Sequence, residues 1–207
     1  MTAERAEIIA QLKAQLVATG TARTETLAWE STAHDDLDAL IGGWPAPGLV
    51  EIVGAPGSGR LGLLLPLLAE QTRMDRWVGI IDPTEWFHPP GLTGVDWSRV
   101  LLVRSGISRA VWAATQMAVS GALAATILLD VPRLGTAEGR RLLRAAEQGG
   151  GTVWVIGDQP LPSLPAHLRL QVKTGAVGEL HIEVRRRRGG AARSGKVSIL
   201  RGLHQKA

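Results

Sequence analysis

The sequence predicts an α/β fold in which a mostly parallel central sheet, flanked by helices, is extended by a C-terminal antiparallel meander. Two patterns predict it. Between Leu49 and Gly157 short apolar runs alternate with segments of helical period, and parallel strands joined by helical crossovers are buried on both faces and read as apolar throughout. After Ala166 the period drops to two and Gly-containing turns separate the segments, as in antiparallel hairpins. The 207 residues fit one such core.

Ala3–Ala18 reads as an amphipathic helix: Thr2 caps it, Glu4 and Glu7 suit its N-terminal end, and Gly20 stops it. Ile8, Leu12 and Leu16, with Ile9 alongside, form a narrow apolar stripe. That stripe serves either intramolecular packing or a contact with a partner or a second copy. Thr19–His34 is polar and without period, so residues 1–34 divide from a core over 35–207. A short helix follows at Asp35–Ile41, stopped by Gly42 and Gly43. Next come the strand Leu49–Val53, a Gly-rich turn, a helix over about Leu61–Arg73 with Pro66 inside it, and the strand Trp77–Asp82. A Pro- and Trp-rich loop leads to the strand Val100–Arg104, a helix over Ser108–Ser120, the strand Ala125–Asp130, a helix over Thr136–Gln148 and the strand Thr152–Gly157. The meander takes His167–Lys173, Glu179–Arg187 and Lys196–Arg201, with Leu168, Leu170, Val172, Leu180, Ile182, Val184, Val197 and Ile199 on its apolar face.

Composition narrows the chemistry. An apolar share of 45% and a charged share of 20% exclude a disordered chain. The absence of cysteine excludes disulfides, thiolate catalysis and thiolate metal sites. The five histidines make no metal constellation, and no serine stands in a G-x-S-x-G elbow. Met1 leads into charged residues rather than an apolar leader, and the longest apolar runs, Gly62–Ala69 and Gly121–Leu129, are too short to span a bilayer. The expectation is a cytoplasmic protein with no membrane contact, free to associate with the nucleoid.

Gly54-Ala-Pro-Gly57-Ser58-Gly59-Arg60-Leu61 joins a strand to a helix, the context of a phosphate-binding loop. Gly54 and Gly59 have the spacing of G-x4-G-K-[ST], but Arg60 stands where the lysine belongs and Leu61 where a hydroxyl would hold Mg²⁺. The loop is therefore read as a structural remnant without catalysis, cofactor or metal. Asp130, ending an apolar strand, either holds Mg²⁺ through water or caps the next helix. Asp82 and Glu85 stand where a water-activating carboxylate would sit. Trp86 and Phe87 either pack beneath their loop or offer an interface.

Charge is segregated. Residues 1–180 carry 15 basic and 18 acidic side chains, and 181–207 carry 8 and 1. Arg185, Arg186, Arg187, Arg188, Arg193 and Lys196 concentrate that excess, for nucleic-acid phosphates or a protein partner. The alternative is a solvated hairpin end.

The segment Leu37–Gly54, with Pro45-Ala-Pro-Gly48 ahead of a strand bearing Glu51, resembles the approach to the RecA ATPase core. The likeness continues through Gly79–Asp82, Leu128–Asp130 and the C-terminal strands, over about residues 35–202. The long DNA-binding loops of recombinases shrink here to Val131–Gly135 and Asp158–Ala166. A compact RecA-like chain with a degraded phosphate loop and a basic tail is similar to the ImuA family. Related SOS cell-division inhibitors share the fold. The resemblance implies a non-catalytic accessory role in damage-induced translesion synthesis, with an ImuB-type polymerase-like protein, an error-prone polymerase and DNA as partners. An active repair ATPase is the opposing expectation, and a cell-division inhibitor a third.

Overall fold

In the computed structural model, residues 27–89 and 94–198 are described. The N-terminal stripe of Ile8, Ile9, Leu12 and Leu16 lies outside them, as does Ile199. The elements are β1 (Ala28–Glu30), α1 (Asp35–Ile41), β2 (Trp44–Ala46), β3 (Gly48–Val53), α2 (Leu65–Arg73), β4 (Trp77–Ile81), β5 (Val100–Val103), α3 (Ile107–Val119), β6 (Leu123–Leu129), α4 (Thr136–Gly149), β7 (Thr152–Gly157), β8 (Leu168–Thr174), β9 (Glu179–Arg187) and β10 (Arg193–Ser198).

Eight strands form one sheet in the order β10-β9-β8-β3-β7-β6-β4-β5, and β1 pairs antiparallel with β2 apart from it. From β8 to β5 the pairings are parallel, while β8–β9 and β9–β10 are antiparallel. The expected α/β architecture is present. One face carries Val50, Ile52, Ile80, Ile127 and Ile156 beneath residues of α1 and α2 such as Leu37 and Leu68. The other carries Leu49, Ile81, Leu128, Val153 and Val155 beneath α3 and α4. The two sets alternate along β3 and β7 because successive strand side chains point to opposite faces. Alanines on α3 (Ala110, Ala113, Ala114, Ala118) let α4 approach closely. A Cβ at Gly149 would lie 1.9 Å from the Ala118 carbonyl oxygen.

The structure departs from the sequence reading at one place that matters for the site. The helix expected from Leu61 begins at Leu65, preceded by a 3-10 turn over Gly62–Leu64. Pro66 therefore stands in the first turn, where an amide has no intrahelical acceptor, and costs the helix no bond. Two three-residue strands, β1 and β2, lie where the sequence shows no strand pattern.

Candidate functional site

All six parallel strands end on the side of the Gly-rich turn, so the residues after β3, β4, β6 and β7 converge there. Gly57 and Gly59 have φ of 78° and 81°, backbone that a side chain disfavours. A Cβ on Gly59 would also meet Leu180, and one on Gly54 the Ser58 hydroxyl and the Val172 carbonyl. The Ser58 Oγ is buried and finds no hydrogen-bond partner among the described residues. The 3-10 turn Gly62–Leu64 lies between the Gly-rich turn and α2, which itself starts at Leu65, whereas a phosphate loop runs directly into its α-helix. Leu61 packs against the core.

Arg60 fills the turn from within. One guanidinium nitrogen donates to the Gly54 carbonyl at 2.8 Å, and the other donates to both Asp130 oxygens at 2.8 Å. The Arg60 side chain is only 5% exposed. Trp86 closes the cluster: its indole N–H donates to Asp130 Oδ2 at 2.7 Å and its ring lies 5.7 Å from the Arg60 guanidinium. Asp130 is held with φ of 41°, and its backbone N–H donates to the Ile156 carbonyl. Burial raises the Asp130 carboxyl above its ordinary range. The Arg60 charge and the Trp86 bond oppose that shift, and the Asp158 charge adds to it.

The Asp130 carboxylate is thus turned into this cluster. Asp130 does not cap α4, whose N-cap is Gly135 with Glu138 reaching back to it. Asp82 is buried and accepts the Glu85 and Phe87 amides, which shapes the turn that presents Trp86. Glu85 is exposed at φ of 61° and is not among the residues lining the cavity that holds Asp130. The aromatic pair divides: Phe87 is buried against Trp97, and Trp86 is 47% exposed. Two cavities flank the turn. One of about 540 Å³ lies between Pro56, Trp86, Val131, Pro132 and Asp158, and one of about 590 Å³ lies toward Gln171 and Lys173 of β8.

Glu51 works on the opposite face of β3. It accepts the Leu161 amide and pairs with Arg169, pinning the Asp158–Ala166 loop. Burial raises its carboxyl, against the pull of the Leu161 amide and the Arg169 charge.

The basic run sits at the other end of the sheet, because β9 runs antiparallel to β8 and reaches Arg187 opposite Leu168, where β8 begins. The structure divides its arginines. Arg187 donates to the Ile41 carbonyl at 2.6 Å and stacks 3.9 Å over Trp29, tying the end of α1 to the meander. Arg188 lies 3.0 Å from His167 Nε2, and the Leu49 amide faces His167 Nδ1 at 3.2 Å. Burial lowers the His167 pKa, and the charges of Arg188 and Arg186 lower it further. Arg185 pairs with Glu183 and Lys196 with Glu179. Arg186 and Arg193 are exposed, with no side-chain partner among the described residues.

The self-pairing of Arg60 escaped the sequence reading. Its signal was present in the substitution itself, since a guanidinium pairs bidentately where an ammonium does not. Among the described residues no group of three or more His, Asp or Glu is placed to hold a metal, and no helix is long and apolar enough to cross a membrane. Neither a family model nor a curated protein matches the chain.

Proposed function

We propose that the chain is a RecA-like, ImuA-type accessory protein in translesion DNA synthesis that acts without hydrolysing nucleotide. The observation that carries the non-catalytic reading is the closed Arg60–Asp130–Trp86 cluster. The cation that would meet a phosphate is neutralised, the acid that would reach Mg²⁺ is engaged, and Leu61 offers no metal ligand. The damage-tolerance role rests on the resemblance of residues 35–202. It is supported by a phosphate-loop-like turn after the central strand β3 and an antiparallel meander that extends the sheet. Large exposed apolar side chains on the edge strand β5 and on α3, namely Leu101, Ile107 and Trp112, suit a protein that works by contact. An ImuB-type polymerase-like protein and an error-prone polymerase are the partners, and the arginines of β9 and β10 supply contact with DNA phosphates.

The test is a turnover assay beside co-purification. The expected result is no Mg²⁺-dependent ATP hydrolysis, with capture of the polymerase-like partner. A Mg²⁺-dependent rate that disappears in Arg60→Ala replaces this reading with a repair ATPase, and capture of division proteins alone replaces it with a cell-division inhibitor.

A further inference from the structure

The cavity of about 540 Å³ beside the closed cluster is bounded by Pro56, Val131, Pro132 and the exposed Trp86, with the Arg60–Asp130 pair on its wall. That pair is internally neutral. Asp158 also lines the cavity, and it has no hydrogen bond or ion pair among the described residues. The lining charges are therefore Arg60, Asp130 and Asp158, a balance of −1 (one positive, two negative). Such a site repels a polyphosphate and attracts a cation, and its apolar walls reward burial of a hydrocarbon side chain. A tryptophan at the mouth of a small apolar cavity is also the usual kind of anchor in protein interfaces.

We infer that this cavity, where a phosphate-loop protein would hold nucleotide phosphates, instead receives a short segment of a partner protein in which an apolar side chain stands next to a basic one. The apolar side chain lies against Pro56, Val131, Pro132 and Trp86, and the basic one meets Asp158. The inference rests on the accessory reading and assigns it a docking site.

N-acetyl-leucyl-arginine amide serves as the probe against the full ¹⁵N-labelled chain, followed by the indole N–H signal of Trp86, which is assigned by its loss in Trp86→Phe. The expected result is a saturable shift with millimolar affinity. Binding should weaken about tenfold in Asp158→Lys and for N-acetyl-leucyl-glutamate amide, through like-charge repulsion. Asp158 is exposed and unpaired, so its variant is expected to keep the parent far-ultraviolet spectrum. The absence of a shift up to about 10 mM probe, which would fill most of a site of about 1 mM affinity, overturns the inference. So do equal shifts from both probes that survive Asp158→Lys, and so does a shift produced by Mg·ATP alone. Partner capture by the parent protein without a probe shift removes this docking site and leaves the accessory role, whereas a probe shift without partner capture does the reverse.

Discussion

The two ends of the sheet use arginine in opposite ways. At the Gly-rich turn one arginine is buried, triply bonded and neutralised; at the β9–β10 hairpin several arginines crowd together and only some are bound. The burial of the first makes it part of the fold, because a guanidinium withdrawn from water must find acceptors. The exposure of Arg186 and Arg193 leaves their charge available to something outside the molecule. Residue type alone therefore says little about arginine here, and position in the sheet decides its role.

The largest effect that separates the ends is expected at Arg60. Arg60→Ala leaves Asp130 with a desolvated charge, and urea denaturation should show a loss of about 3 kcal/mol, against less than about 0.5 kcal/mol for Arg186→Ala. Similar losses for both would dissolve the contrast. Arg187 should fall between them. Removing its bond to Ile41 and its stacking on Trp29 should cost about 1–2 kcal/mol in the same measurement, and Arg187→Lys should not restore it, since an ammonium lacks the planar fork.

A third comparison concerns DNA. Replacing Arg186 and Arg193 together with alanine should reduce the slope of log affinity against log salt by about 1.8 on duplex DNA, with stability nearly unchanged. A slope equal to that of the parent protein would return both residues to the solvated surface.

The smallest effect is a difference in sign with pH. His167 has a lowered pKa in the fold, so the unfolded chain binds more protons just below the ordinary histidine value, and the folded state loses stability as pH falls through that window. Asp130 has a raised pKa, so the folded chain binds more protons just above the ordinary aspartate value, and its contribution grows as pH falls there. Melting temperature should thus drop between about pH 7 and 6 in the parent, near the histidine range, and drop less in His167→Gln. An equal drop in the variant would move the origin of the effect elsewhere.

Much of this architecture is legible in sequence because burial on two faces leaves a plain signature. Thr152–Gly157 and Glu179–Arg187 have the observed limits of β7 and β9. The short strands β1 and β2 are not legible. They are three residues each, β2 contains Pro45, and their pairing depends on tertiary contact rather than on a pattern of their own. The departure of the Gly-rich turn from a phosphate-loop pattern is visible in Arg60 and Leu61 alone. The closure of that turn is not, because Arg60 and Asp130 are 70 residues apart and meet only through the order of the strands. Trp86 is hidden for the same reason, whereas the burial of Phe87 matches one of the two alternatives open from sequence.

The register of β9 has one further consequence. Leu170 pairs with Val184 and Arg169 with Arg186, so Arg185 is an extra residue in the ladder. That surplus residue sends Arg187 to the same side as Val184 three positions earlier, where it reaches Trp29, and breaks the strict alternation of a strand. The run of four arginines therefore contains one unit of slack. The four residues are identical, so removing any one of them yields the same shorter chain, in which the remaining three arginines keep the places of Arg186, Arg187 and Arg188 opposite their present partners and the strand is merely regularised. One arginine can therefore be lost from the run without unfastening the hairpin from Trp29 and Ile41.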